Sequence, residues 1–397
     1  MDRTIVDCIV IGCGPAGAST ALTLNACGIN TLVVEQQSND PAERRFAVGE
    51  SLPPQITPIL HSLGLYEHLQ NRTENGYHLE SFAHVSSWGS EELNYSNFIF
   101  NMHQSGWHLD RKQFDCDLID QIKASGINIL TKTKFIKANK NQDKNWEVEI
   151  FSEETKESKK IIGKWLIDAT GRKNIVLNKR LQNCTREHDD KLLAFYCVYA
   201  SNSTEEEIKE KGEDNFNATL VEAVEDGWWY TSHLPNNQRI VIYHTDDNLP
   251  SAKEARTGKG FLSKLQETKH IYKVLENYHY ETEDELRPIC TLASSSYYTR
   301  DARVYSEEKL LAVGDAAQAF DPLSSQGIMT ALLSGVYCAN IVNRCLKNPD
   351  SNLANIEFYF ETLNNIYNEY LDKRFYYYST ESRFSDHPFW QKRNQAK

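Results

Sequence analysis

In the run Asp7-Cys8-Ile9-Val10-Ile11-Gly12-Cys13-Gly14-Pro15-Ala16-Gly17, a short apolar stretch rich in β-branched residues passes directly into a glycine-rich turn. Ile5 to Ile11 reads as a buried parallel strand. Pro15 to Cys27 reads as the helix that follows, stopped by Gly28 where a left-handed residue ends a helix. A second apolar strand, Thr31 to Val34, ends in Glu35. This is a βαβ unit with Gly12, Gly14 and Gly17 at G-x-G-x-x-G spacing and an acid 18 residues beyond the last glycine. Gly12 permits the tight turn, Gly14 lets backbone approach a pyrophosphate, and Gly17 lets the helix lie close to the strand. Pro15 and Ala16 open a helix whose free N–H groups and positive dipole end suit phosphate. Glu35 is placed to accept hydrogen bonds from both hydroxyls of a ribose. The unit is therefore expected to bind a dinucleotide.

The rest of the composition narrows the class. At 397 residues the chain is long enough for two or three packed domains. A net charge of −12, with no basic block, argues against a nucleic-acid partner. No apolar run is long enough for a membrane helix, and no signal-peptide pattern is present. The nine cysteines lack C-x-x-C pairing or histidine neighbours at metal spacing, so no disulfide and no metal is expected. Cytoplasmic residence follows from these readings.

After Glu35, the segment Arg44-Arg45-Phe46-Ala47-Val48-Gly49-Glu50-Ser51-Leu52-Pro53-Pro54 mixes Gly, Pro and charge with apolar residues, as a segment lying along a ligand would. A helix is expected over Ile56 to Leu69, and strands over Ser81 to Ser87 and Tyr95 to Phe100. Arg111 opens a helix, Lys112 to Ala124, stopped by Gly126. Then come a strand (Ile127 to Leu130), a hairpin (Lys134 to Lys140 with Trp146 to Phe151) and a strand (Lys164 to Ile167) ending in Asp168-Ala169-Thr170-Gly171-Arg172. From about 185 to 290 the strands Leu192 to Ala200, Asn217 to Ala223, Gly227 to His233 and Arg239 to His244 alternate as a separate antiparallel sheet. The charged run 204–214 reads as a solvated helix or loop. A buried strand, Lys309 to Val313, runs into Gly314-Asp315, and Asp321-Pro322-Leu323-Ser324-Ser325-Gln326-Gly327 precedes the long helix Ile328 to Leu346. Carboxylate and backbone N–H groups thus point into one crevice. The tail reads as a helix from Asn352 to Thr380 and an irregular aromatic end with Phe389 and Trp390.

Three segments end a strand with polar chemistry: Gly12 to Gly17, Asp168 to Arg172, and Gly314-Asp315. With Arg111 between them, they resemble the FAD-dependent monooxygenase and halogenase superfamily of para-hydroxybenzoate-hydroxylase-like fold, over most of the chain. The resemblance implies a mixed α/β fold. Residues 1–70, 105–183 and 291–346 would form a Rossmann-like three-layer FAD-binding domain. Residues 71–104 and 184–290 would form an antiparallel β-sheet substrate domain, and 347–397 a helical tail. It implies FAD, with the glycine turn and Glu35 on the ADP half, Arg111 also against the cofactor, and Gly314-Asp315 at the ribityl and pyrophosphate region. Ser325, Gln326, Gly327 and Ile328 would bring N–H groups to the ring's N1/O2 edge, where a helix N-terminus offsets the charge of reduced flavin. Pro322 would keep its loop close to the ring. Arg44 and Arg45 are candidates for the phosphates or adenine side, the plain alternative being a solvated pair.

The run Val48-Gly49-Glu50-Ser51-Leu52 resembles the branch of tryptophan halogenases and their hydroxylating relatives. Halogenases carry a lysine shortly after an Asn-Gly, whereas here Asn75-Gly76 is followed by Tyr77-His78-Leu79-Glu80. Their Trp-x-Trp-x-Ile-Pro is replaced by Gly227-Trp228-Trp229-Tyr230-Thr231-Ser232-His233-Leu234-Pro235. The pattern is nearer to flavoprotein monooxygenases that act on a tryptophan of a partner protein, the precursor of a quinone-cofactor oxidase, in cysteine tryptophylquinone biosynthesis.

That resemblance implies hydroxylation of an electron-rich ring through a flavin C4a-hydroperoxide, with molecular oxygen as co-substrate. The reductant is left open between NAD(P)H and external reduced flavin, since no second GxGxxG is present. His78 and His233 are the candidates for managing protons, their plain reading being hydrogen-bonded strand histidines. Trp228, Trp229 and Tyr230 are candidates to stack on the substrate ring, with core packing as the alternative. The competing functions are a hydroxylase or halogenase of a small aromatic metabolite and a non-catalytic flavoprotein scaffold that docks a client. A reductase of isoprenoid double bonds is disfavoured, because no stretch announces a long apolar tunnel.

Overall fold

Cys8, Ile9 and Val10 expose no surface to solvent, which places the opening strand, Thr4–Ile11, in the middle of a sheet. Thr31–Val34 pairs with it in parallel on one side and Ser158–Asp168 on the other. Asn128–Leu130 and Leu310–Ala312 extend the parallel part, and the hairpin of Thr133–Lys140 with Trp146–Ser152 adds an antiparallel edge. The computed structural model describes residues 4–180, 184–201, 217–282 and 286–394. The charged run 204–214 lies outside them.

Parallel strands need crossovers: Pro15–Ala26 and Arg111–Ala124 lie in two of them, and Gly327–Lys347, which follows the last strand of the sheet, packs in the same helix layer. The first of these is buried along most of its length, as a helix apolar on all sides must be. It meets Gly327–Lys347 at close range. A Cβ at Gly335 would lie 2.0 Å from Ser19 Oγ and 2.5 Å from the Ala16 carbonyl oxygen. Ile11 registers with Asp168, and Asp168 with Ala312, so three strands end side by side and their polar turns open at one edge.

The second sheet runs in the order Tyr280–Glu281, Leu192–Ser201, Gln238–Asp246, Gly227–Leu234, Ala218–Val224, Ala83–Ser87, Asn94–Asn97, with Ile289–Leu292 also pairing on Leu192–Ser201. Successive side chains point to opposite faces. Phe195, Trp229 and Tyr243 pack on one face with Phe261, Leu265 and Leu275 of the helices that follow. Ala194, Tyr196, Trp228, Tyr230 and Ile242 lie on the other, with Tyr378, Phe389 and Trp390 of the tail. The protein is thus mixed α/β: a Rossmann-like unit, an antiparallel-rich sheet and a C-terminal helix.

Several expected elements change in detail. The helix expected over Ile56 to Leu69 is two helices, Thr57–Ser62 and Tyr66–Glu74, because Gly64 takes a left-handed conformation between them. The strand expected over Ser81 to Ser87 splits at Phe82. His78–Ser81 pairs with Gly106–Leu109, while Ala83–Ser87 joins the second sheet. Tyr95 to Phe100 is strand only to Asn97. The tail helix spans Asn352–Thr380 as expected, but its aromatic end is not irregular: Pro388–Arg393 is a short helix with Phe389 and Trp390 fully buried. Among the described residues, no helix is long and apolar enough to cross a membrane.

Candidate active site

A cavity of about 510 Å³ lies between the strand ends of the first sheet and the inner face of the second. On one side stands the glycine turn. Gly12 has φ +101°, and a Cβ there would meet the Ala169 carbonyl oxygen at 2.4 Å; one on Gly17 would meet the Gly12 oxygen at 2.0 Å. Gly14 differs: nothing lies within 4 Å of its would-be Cβ, so the backbone borders open space. Gly14, Pro15 and Ala16 line the cavity, at the end of the helix where N–H groups have no intrahelical partner.

Glu35 is buried beside this turn. Its Oε2 accepts the Cys13 N–H at 2.6 Å and its Oε1 the Gln37 N–H at 2.7 Å. Burial raises its pKa, while those two donors and Arg44 pull it back. Each oxygen keeps a further lone pair, although Glu35 stands behind the turn and does not itself line the cavity. Arg44 and Arg45 are not a solvated pair. Arg44 is buried, donating from Nη1 to the Ser38 carbonyl at 2.7 Å with Asp115 at 3.6 Å, whereas Arg45 is exposed. Arg111 donates to the Val48 and Gly49 carbonyls at 3.0 and 2.8 Å and to Asp115 at 3.2 Å. It thereby fastens the Phe46–Ser51 segment along the cavity wall.

The third strand end contributes Asp315, 3.2 Å from Arg172 Nε. Arg172 also donates to the Ser294 and Phe320 carbonyls, joining both sides of the cavity. Gly314 takes φ +56° and donates its N–H to Ser334 Oγ at 2.8 Å, just behind the wall. Pro322, Ser325, Gln326, Gly327 and Ile328 line the cavity at the start of the long helix, and Gly327, like Gly14, faces open space. Two helix N-termini therefore border one cavity, each with a glycine where a side chain would fill it. That arrangement fits a dinucleotide whose pyrophosphate and ring both need N–H donors.

The opposite wall comes from the second sheet: Ala194, Tyr196, Tyr230, Ile242 and His244, with Phe46 and Val48 beside them. Glu50 sits among them, almost fully buried. Tyr230 donates its hydroxyl to Glu50 Oε1, Ser232 Oγ donates to the same oxygen at 2.8 Å, and the Gly49 N–H reaches Oε2 at 3.2 Å. Burial first, and then the neighbouring Glu50, raise the Tyr230 pKa far above that of a free phenol, so it stays a donor. Burial pushes the His244 imidazole down to about 3, leaving it neutral.

Four of the five expected catalytic and substrate-binding residues lie elsewhere. His78 does not line the cavity: its Nδ1 accepts the Asp110 N–H at 3.2 Å, and its Nε2 is 3.7 Å from Asp117. His233 is also away from the wall, hydrogen-bonded to Asn217 at 3.1 Å. Trp229 is core, stacked on Tyr243 at 4.6 Å between centroids and edge-on to Phe261 at 5.0 Å. Trp228 stands behind His244, its indole N–H donated to Tyr378 Oη at 3.0 Å. Of the Trp228–Tyr230 triplet only Tyr230 lines the cavity. Strand parity explains the split, because Trp229 and His233 fall on the face opposite to Tyr230. The residues that sequence reasoning missed are Glu50, Tyr196, Ile242 and His244.

Known proteins agree with this geometry. The sequence pattern of the FAD binding domain family matches residues 5–348. LodB of Marinomonas mediterranea, named as an FAD-dependent oxidoreductase, is 27% identical over 390 residues, covering 98% of this chain and 96% of that protein. The 1H-pyrrole-2-carbonyl-[peptidyl-carrier protein] chlorinase of Pseudomonas fluorescens is 23% identical over 371 residues, covering 89% of this chain and 79% of its own. Among solved structures, the myxobacterial chondrochloren halogenase CndH superposes with a TM-score of 0.81 at 20% identity, over 100% of this chain and 87% of that one. The peptidyl tryptophan dihydroxylase QhpG, essential for tryptophylquinone cofactor biogenesis, superposes with a TM-score of 0.70 at 19% identity, over 99% and 80%. The chain belongs to the FAD binding domain family and is an FAD-dependent oxidoreductase.

Proposed function

We propose that this protein is a monooxygenase that hydroxylates an electron-rich aromatic ring, and that the ring is a tryptophan side chain of a partner polypeptide on its way to a tryptophylquinone cofactor. One observation carries the reading. The wall facing the flavin cradle is aromatic and aliphatic, holds a buried carboxylate, Glu50, and has no lysine among the described residues that line it. Such a wall takes a flat apolar ring and offers an acceptor for its proton. A wall built to carry a hypohalous species would present a lysine. The likeness in fold to QhpG, a peptidyl tryptophan dihydroxylase, supports the finer assignment.

Bound FAD, once reduced from outside by a nicotinamide or a free reduced flavin, supplies the activation of molecular oxygen. The chain's residues do the rest. Phe46, Tyr196, Tyr230 and Ile242 exclude water and present flat contact area. His244, neutral, accepts or donates one hydrogen bond without bringing charge into an apolar space. Glu50, held by Tyr230 and Ser232, receives the proton that a ring carbon gives up when it gains oxygen.

Mass spectrometry of the polypeptide that co-purifies with the protein, before and after supplying reductant and oxygen, tests this reading, with free tryptophan and halide in parallel. Oxygen added at a tryptophan of the bound polypeptide, with free tryptophan unchanged, is the expected result. The likeness in fold to halogenases favours the second reading, a hydroxylase or halogenase of a small aromatic molecule. Turnover of the free aromatic or a halide-dependent product would establish it instead.

A further inference from the structure

The tail helix Asn352–Thr380 lies beyond residue 348, where the family match ends. Tyr370, Arg374 and Tyr378 follow one another at four-residue spacing, so they share one face of that helix. All three converge on a single aspartate. The Asp321 N–H donates to Tyr370 Oη at 3.0 Å, Arg374 Nε lies 3.4 Å from Asp321 Oδ2, and Tyr378 Oη donates to that same oxygen at 2.9 Å. Asp321 and Tyr378 are both essentially inaccessible to solvent. Tyr378 in turn accepts the Trp228 indole N–H, which ties the grip to the sheet behind His244.

What Asp321 holds is the flavin-side turn. Its Oδ1 accepts the Leu323 N–H at 2.9 Å, and its carbonyl accepts the Ser324 hydroxyl at 2.9 Å and the Ser324 N–H at 3.1 Å. The turn Pro322–Ser324 then delivers Ser325 at φ +48°, a left-handed conformation that a residue with a Cβ adopts only when its surroundings enforce it. Immediately after it begins the helix Gly327–Lys347, whose first residues line the cavity. The Asp321 carboxylate, held by Arg374 and Tyr378 and accepting the Leu323 N–H, ties that turn to the tail helix.

We propose that the tail helix is a working part of the flavin site: Tyr370, Arg374 and Tyr378 grip Asp321, fix the Pro322–Ser325 turn, and so hold a helix N-terminus at the distance from the flavin that sets its affinity and reduction potential. They are positioning residues. A helix N-terminus favours the negative charge of reduced flavin, so loosening the turn makes the cofactor harder to reduce. The inference concerns the cofactor alone and is independent of which substrate the protein oxidises.

Two measurements on the full chain test it: fluorescence titration of the FAD-stripped protein with FAD, and the midpoint potential of the reloaded protein. Tyr378→Phe removes the hydroxyl that joins Asp321 to Trp228. It is expected to weaken FAD binding by about tenfold, the effect of losing one buried hydrogen bond to a charged group, and to shift the potential to more negative values. Arg374→Lys retains the charge and should fall between Tyr378→Phe and the wild type. Tyr376→Phe, at an exposed position of the same helix, should change neither quantity. If Tyr378→Phe does not fold, Tyr370→Phe, which removes the acceptor of the Asp321 N–H and a hydrogen bond with Ser295, carries the same expectation at smaller amplitude. Wild-type affinity and potential in these variants, with only the thermal midpoint lowered, would overturn the proposal and leave the tail as plain packing.

Discussion

The imidazole of His244 lies flat on the indole of Trp228, with ring centroids 3.7 Å apart and planes within 13°. The two residues are cross-strand partners, so the stack is a product of sheet register. It has a consequence for acid stability. Burial holds His244 at about 3, and another buried histidine, His108, at about 3 as well. The unfolded chain protonates histidine near about 6.5. Between those values the unfolded state binds protons that the folded state refuses, so stability is fully present above the upper value and is lost progressively as pH falls through the window. The urea midpoint should therefore decline from near-neutral pH downward. His244→Gln, which cannot titrate, should decline less steeply than the wild type. Equal slopes would mean that His244 accepts its proton without cost.

Three glycines of one motif should fail in different ways. At Gly14 the backbone is extended and the space beside it open, so Gly14→Ala is expected to fold normally and to weaken FAD binding by at least about tenfold, since its methyl projects where the pyrophosphate approaches. At Gly12 and Gly17 an added methyl would run into the carbonyl oxygens of Ala169 and Gly12. Those variants should lose about 1–3 kcal/mol of stability even without FAD. Thermal melts of the FAD-stripped protein beside FAD titrations separate the two outcomes.

The contrast marks how far the sequence could be read. The glycine turn, Glu35 and the strand ends at Asp168 and Gly314 were legible because backbone geometry demands particular residues at fixed spacing. The second sheet was legible as alternation, but alternation does not say which face meets the ligand. Trp229 and His233 looked like site residues and sit on the far face, while His244 became visible only once its strand was paired with Trp228. His78 misled for a similar reason. Its strand leaves the large sheet at Phe82 and pairs with Gly106–Leu109, which puts the ring against Phe114 and Asp117. Glu50 lay in a segment whose composition announced a ligand, yet nothing local foretold that Tyr230 and Ser232, 180 residues away, would hold its carboxylate.

That carboxylate gives the sharpest test of the proposed chemistry. Glu50→Gln keeps an acceptor for Tyr230 and Ser232 and removes only the basicity, so the fold and FAD affinity should persist. If Glu50 takes the ring proton, oxygen incorporation should slow by about a hundredfold, the lower range for losing a positioned base. The substrate KM should hardly change, since the residue acts on a proton rather than on ring binding. A variant within threefold of the wild type would return Glu50 to a structural role.

Trp229 tests the assignment of faces. Its ring is fully buried between Tyr243 and Phe261, on the face of the sheet opposite to the cavity. Trp229→Ala should cost about 3–5 kcal/mol in urea denaturation, the usual penalty for emptying an aromatic core position. The folded fraction should bind FAD as tightly as the wild type and turn over with an unchanged KM, because the sheet's inner face carries the contacts. Ile242→Ala, on that inner face, should reverse the balance, raising KM while also opening the cavity wall. A Trp229 variant that kept its stability and lost substrate binding would invert the reading of the sheet, and with it the proposed location of the substrate ring.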